Sequence, residues 1–178
     1  MISPLDGARR PLRVVFVCTG NSARSILAEV LLRDLGGDRF VAASAGSHPT
    51  GRVHPIALET LAAHGHSTAG LRSKSWDEFA TAGAADLDLV ITVCDNAAGE
   101  ACPIWPGGPI AGHWGAPDPA AETRSEELCR AAFSHVYALT RARIERFVAM
   151  EVESLDGAAM SDAVRKIGES RPTDARTQ

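Results

Sequence analysis

Apolar residues along this chain follow two spacings. Leu12 to Val17 (LRVVFV) is an almost unbroken β-branched and aromatic run, the pattern of a strand buried on both faces of a parallel sheet. Over Ser25 to Leu35 the spacing changes. Leu27, Val30, Leu31 and Leu35 recur at i, i+3, i+4 and i+8, one face of a helix, and Gly36 and Gly37 end it. Phe40 to Ala45 predicts a second strand, closed by Gly46. His54 to His64 predicts a second helix, with Pro55 in its first turn and Gly65 after it. Leu87 to Val93 is another buried strand, with Cys94 at its end.

Residues 94 to 121 hold most of the turn-formers, among them Gly99, Pro103, Gly107, Gly112, Pro117 and Pro119. They predict a long loop region with a candidate short strand over Ile110 to Trp114. Loops of this length in compact domains are often functional. Thr123 and Glu126 match a capping box for a long amphipathic helix to about Val148. Phe133, Val136, Tyr137, Thr140, Ile144 and Phe147 fall on its apolar face. After Met150 the chain turns polar, with a short helix expected over Ser161 to Ile167.

Strands alternating with helices predict an α/β fold, a single domain with a central parallel sheet flanked by helices. Residues 1–10 read as an N-terminal extension, 11–149 as the domain and 150–178 as a polar tail. Ligands of such sheets sit at the C-terminal ends of strands. Cys18 and Cys94 both fall there, so topology puts the two thiols on one edge.

The chain has 178 residues and a net charge of −4. An acidic balance argues against a general nucleic-acid binder, and an anionic ligand must then be drawn by a local site. No apolar run has the length of a membrane span, and residues 1–11 carry no apolar core of a secretion signal. The expected location is the cytoplasm, where the four cysteines, Cys18, Cys94, Cys102 and Cys129, read as thiols. They lack the paired spacing of a zinc site, so neither a metal nor another cofactor is expected.

The most informative stretch is Cys18-Thr19-Gly20-Asn21-Ser22-Ala23-Arg24-Ser25. A strand ends, a short polar loop follows and a helix begins. Backbone N–H groups in such a loop can converge on one tetrahedral oxyanion at a helix N-terminus. Gly20 and Asn21 tolerate left-handed backbone. Arg24 offers a planar fork for two oxygens. The same positive field favours a Cys18 thiolate, to which Ser25 can donate a hydrogen bond.

This C-x5-R-S signature resembles that of the low-molecular-weight protein tyrosine phosphatase superfamily, as do Ser44-Ala45-Gly46 and Asp118-Pro119. The resemblance implies a flavodoxin-like strand order and catalysis by Cys18, Arg24, Ser25 and Asp118. Oxyanion binding is then expected at Thr19, Gly20, Asn21, Ser22, Ala23 and Arg24. Within the superfamily, Leu89 to Cys94, Cys102 before Pro103, and His113-Trp114-Gly115 resemble the thiol-coupled arsenate reductase branch. Ala120 and Ala121 stand after Pro119, where tyrosine phosphatases of this fold usually carry aromatic residues.

The resemblance implies that Cys18 attacks arsenate while Asp118 donates a proton. Cys94 then attacks the adduct and Cys102 takes over the disulfide. The implied reductant is a thioredoxin-like protein or a glutathione–glutaredoxin or mycothiol system, and phosphate is the substrate's analogue. Many relatives carry a cysteine at the position of Ala23, so no disulfide can form within this loop. Asn21, Glu29 and Ser44 match positions that bind potassium in some relatives. Lys74 stands where a carboxylate would be expected, which favours plain hydrogen bonding there. Cys129 reads as a buried structural thiol, and His48, His54, His64 and His66 as surface or cap residues. Two other functions are compatible with the loop: a phosphomonoesterase or protein tyrosine phosphatase, and an oxyanion-binding regulatory module without turnover.

Overall fold

The structure, a computed structural model, describes residues 10–81, 86–99 and 103–170. Four strands form one wholly parallel sheet: β1 (Leu12–Cys18), β2 (Phe40–Gly46), β3 (Leu89–Thr92) and β4 (Ile110–His113). Their order is β2-β1-β3-β4, the flavodoxin-like order. The central strand is β1, and Val14 to Val17 are fully buried, as the unbroken apolar run requires of a strand covered on both faces.

Helix α1 (Arg24–Gly36) returns the chain from β1 to β2. Ile26, Leu27, Ala28, Val30, Leu31 and Leu32 are all inaccessible. Leu35, expected on the buried face, is 36% exposed. A single stripe is therefore too narrow a description, because α1 is enclosed by the sheet on one side and by α5 (Glu126–Val148) on another. Helix α2 (Pro55–Ala63) also meets α5. His54 caps α2 by accepting from the Ile56 N–H at 3.2 Å. The short helices α3 (Asp77–Ala80) and α4 (Asp95–Gly99) flank β3 in sequence.

All six residues expected on the apolar face of α5 are buried. Its N-cap differs from expectation. Ser125, not Thr123, accepts from the Leu128 N–H at 3.1 Å, while Glu122 is engaged by Arg124. The capping-box spacing was present, but the helix starts one residue after Ser125, so that hydroxyl is the one placed to reach the free amides.

The polar stretch after Met150 carries a longer helix than its pattern predicts. Helix α6 spans Gly157–Glu169, capped by Asp156. It buries Met160, Val164 and Ile167 and packs on β4 and α5. Its large apolar residues are few, but all three are buried on one face. Trp114, just past β4, is buried and donates its indole N–H to the Val164 carbonyl at 2.9 Å.

Candidate active site

The loop from Cys18 to Arg24 leaves β1 and enters α1 at the C-terminal edge of the sheet. Its carbonyls are turned outward and occupied. The N–H groups of Ser47, His48, Thr50 and His54 donate to the carbonyls of Cys18, Thr19, Gly20 and Ser22 at 2.9–3.2 Å. The Asn21 N–H is directed the other way, to the Cys18 sulfur, and a loop whose N–H groups turn inward in this manner can bind an oxyanion. The scaffolding role of residues 47–54 has no sequence signature, because it is made entirely by backbone atoms. Of the two residues expected to take left-handed backbone, only Asn21 does, with φ 43°. Gly20 instead gives space, since a Cβ there would lie 3.2 Å from Thr50 Cγ2.

The Cys18 thiol is buried at the floor of this loop. Its Sγ lies 2.9 Å from Ser25 Oγ and accepts from the Asn21 N–H at 3.2 Å. The amide, and the hydroxyl when it is the donor, can stabilise a sulfur anion. Ser25 in turn accepts from Asn21 Nδ2 at 2.9 Å, and the same amide donates to Ser44 Oγ at 2.9 Å. Asn21 thus both bends the loop and ties it to β2. The approach of β2 is close. A Cβ on Gly46 would lie 2.5 Å from the Thr19 carbonyl oxygen, so only glycine fits beside the loop.

The Ser44 hydroxyl donates to Glu29, whose carboxylate lies 3.5 Å from the Lys74 ammonium. Lys74 Nζ is also 3.5 Å from Ser44 Oγ, and the Lys74 N–H donates to Asn21 Oδ1 at 2.8 Å. A cation therefore does sit beside Glu29 and Ser44, and it belongs to the chain itself, while the backbone of the same residue meets Asn21.

Arg24 opens α1 with its side chain 14% exposed. Nη1 donates to the Ala116 carbonyl at 3.1 Å, and Nη2 lies 3.5 Å from Asp118 Oδ2. Asp118 is half exposed and its Oδ1 accepts from the Ala120 N–H at 3.1 Å, capping a short 3-10 helix over Pro119–Ala121. One carboxylate is both a turn residue and a group facing the anion loop. One oxygen does each task.

Cys94 follows β3, which pairs with β1, so both thiols stand on the same edge. It is buried, and its Sγ accepts from the Ala97 N–H at 3.3 Å and lies 3.6 Å from Thr19 Oγ1. Beside it, His113 bridges Thr92 Oγ1 at 2.8 Å and Asp95 Oδ1 at 2.9 Å, a side-chain tie from β4 to the segment carrying Cys94. The sequence offered His113 only as part of the His113-Trp114-Gly115 resemblance, without this tie. Trp76 and Trp105 meet edge to face at 6.2 Å, a contact between distant segments that no spacing announces. Cys129 is buried in α5 with its Sγ 3.6 Å from the Pro119 carbonyl. Cys102 lies outside the described residues.

The structure therefore brings together Cys18, Arg24, Ser25, Cys94 and Asp118 around the loop of residues 19–23. The arrangement can hold a tetrahedral oxyanion, offer it a thiolate and a carboxyl group, and present a second thiol nearby. Residues 13–158 match the family described as low molecular weight phosphotyrosine protein phosphatase. An arsenate reductase of Bacillus licheniformis is 36% identical over 134 residues, covering 75% of this chain and 93% of that protein. A solved arsenate reductase of Archaeoglobus fulgidus superposes with a TM-score of 0.60 at 28% identity, covering 77% of this chain and 99% of the other. A structure described as an arsenate reductase in the phosphate binding state gives 0.59 at 27% identity, covering 78% and 97%.

Proposed function

The chain belongs to the low molecular weight phosphotyrosine protein phosphatase family, and on that premise we propose that it reduces arsenate to arsenite in the cytoplasm. The observation that carries this reading is the second buried thiol, Cys94, 3.6 Å from the hydroxyl of Thr19 in the anion loop. A hydrolase needs one thiol here, whereas reduction of arsenic by two electrons needs two. Relatives named arsenate reductases support the same reading.

Arsenate binds to the loop amides of residues 19–24 and to the Arg24 fork. The Cys18 thiolate attacks arsenic. A sulfur–arsenic bond forms, an arsenic–oxygen bond breaks, and the oxygen leaves as water with a proton from Asp118. The Ser25 hydroxyl and the Asn21 N–H hold the Cys18 sulfur in place for its attack. The Cys94 thiolate then attacks Cys18 sulfur. A disulfide forms, the sulfur–arsenic bond breaks, and its electron pair reduces As(V) to As(III), released as arsenite. Cys102 attacks Cys94 and returns Cys18 as a thiolate. A thioredoxin-like dithiol, or a glutathione–glutaredoxin or mycothiol system, reduces the Cys94–Cys102 disulfide. Each exchange is an in-line thiolate attack governed by access and thiolate fraction.

Hydrolysis of aryl phosphates needs only Cys18, Arg24 and Asp118, so a slow phosphatase activity that requires no external thiol accompanies this chemistry. Ala120 and Ala121 beside Asp118 offer no aromatic wall for a phenyl ring, which disfavours tyrosine phosphate as the main substrate. The test is arsenite formation with each defined thiol system in turn. Wild type should form arsenite with at least one, and Cys18→Ser with none. Aryl phosphate turnover without any arsenite would establish the phosphatase instead. Arsenite formation by Cys18→Ser would remove Cys18 from the mechanism.

A further inference from the structure

Arg143 is a buried cation outside the anion loop. It lies on α5 and is 7% exposed. Its Nη1 donates to the carbonyls of Trp114 at 3.0 Å and Gly115 at 2.9 Å, and its Nη2 to that of Gly168 at 3.1 Å. Its Nε has no partner among the described residues. Burial pushes the guanidinium below its ordinary value, and no carboxylate among the described residues counters this. An apolar side chain of the same volume would be cheaper to desolvate, but it would leave the carbonyls of Trp114, Gly115 and Gly168 without this donor. What the charge does is join three elements: α5, the exit of β4 and the last turn of α6.

The exit of β4 leads straight to the site. Ala116 follows Gly115, donates its N–H to the Val93 carbonyl at 3.1 Å and accepts from Arg24 Nη1 at 3.1 Å. Asp118 comes two residues later, 3.5 Å from Arg24 Nη2. The segment 114–118 is therefore held by one guanidinium from behind and another from the anion loop. The α6 contact leaves no slack. A Cβ on Gly168 would lie 2.1 Å from the His113 carbonyl oxygen, and one on Gly112 would lie 2.2 Å from Val164 Cγ1. All but the first two residues of α6 lie beyond the stretch matched by the family, residues 13–158.

We propose that Arg143 is a positioning residue for the Asp118 loop, using α6 as its abutment, so that Asp118 meets the bound oxyanion in register. The proposal rests on the reading of Asp118 as proton donor. In the full chain, Arg143→Met should slow single-turnover arsenite release by about ten- to a hundredfold, the range a displacement near 1 Å produces. The inhibition constant of inorganic phosphate, which reads the anion loop, should move by less than about threefold. Arg143→Lys keeps the cation without the fork and should recover part of the rate.

The discriminating measurement is a cycle with Asp118→Asn. If Arg143 acts through the Asp118 loop, Arg143→Met adds little once Asp118 is already Asn. A full additional loss in that background, or an equal loss of phosphate affinity and rate, overturns the proposal. Where Arg143→Met does not fold, Arg143→Lys takes its place in the cycle. If wild type forms no arsenite, or Asp118→Asn leaves the rate unchanged, the underlying reading has failed. Amide exchange at Ala116 and Ala120 then decides: faster exchange in the Arg143 variant supports the brace, and unchanged exchange overturns it.

Discussion

Thr19 Oγ1 and Cys94 Sγ lie 3.6 Å apart. The contact follows from β1 and β3 being parallel neighbours in register, with Val17 opposite Thr92. It places the second thiol beside the first residue of the anion loop without any covalent tie. Cys94→Ser should therefore leave the loop intact and separate two activities. Turnover of arsenate should vanish, while any aryl phosphate hydrolysis stays within about threefold, as expected when the lost group acts only in a later step. Loss of both activities in a folded variant would make Cys94 structural.

In the relay reading, Cys102→Ser should release one arsenite per enzyme and then stop with a Cys18–Cys94 disulfide. Both sulfurs of that pair are buried, so an external thiolate reaches them slowly. Peptide mapping of non-reduced protein after one turnover identifies the joined pair. The wild type should show Cys94–Cys102. Normal multiple turnover by the variant would mean that a small thiol or glutaredoxin resolves the disulfide without Cys102.

Gly46→Ala should damage the anion loop from outside it. The added methyl would meet the Thr19 carbonyl at 2.5 Å and Asn21 Cβ at 3.0 Å. Neither can retreat, because the Thr19 carbonyl is held by His48 and Asn21 by Ser25, Ser44 and Lys74. Overpacking of this kind costs about 1–3 kcal/mol. Weaker phosphate binding together with a lower Tm is the expected result. A variant with unchanged phosphate affinity would show that the loop has more room than its contacts indicate.

Lys74→Met should leave the Glu29 carboxylate without its counter-charge. The two side chains are only 9% and 17% exposed. Removing one partner of a buried pair costs about 3–5 kcal/mol, and the 3.5 Å separation and residual solvent reduce this to about 1–3 kcal/mol. Urea unfolding measures it, and adding Glu29→Gln should restore part of the loss. Because the ammonium already stands beside Glu29 and Ser44, potassium should not change the wild-type rate. A clear potassium activation of the wild type would show that Lys74 does not fill that role.

The elements read from periodicity were close to those observed, and each difference has a local cause. Leu35 sits on the predicted stripe of α1 yet is exposed, because α1 is covered on more than one side up to Leu32 and emerges only at its end. Thr123 has the capping-box spacing, but Ser125 caps α5. Helix α6 looked like a short helix in a polar tail because burial of Met160, Val164 and Ile167 needs only three apolar residues once β4 supplies the opposing face.

The sequence by itself determined everything carried by neighbours in the chain. It defined the buried strand that ends in Cys18, the loop of Thr19 to Arg24, the turn at Asp118 and the presence of a second thiol at a strand end. Those features depend on short-range backbone geometry, which residue types report directly. Only the tertiary structure decided which distant groups support them. The carbonyl partners in residues 47–54 and Arg143 reach the site from 26 to 119 positions away from Asn21 or Arg24. Their contacts arise because parallel strands deliver their C-terminal ends to one edge and the helices close over it. A lysine, an arginine or a glycine in the sequence looks the same whether it meets water or a carbonyl 3 Å away, and only the packing of the whole chain distinguishes the two.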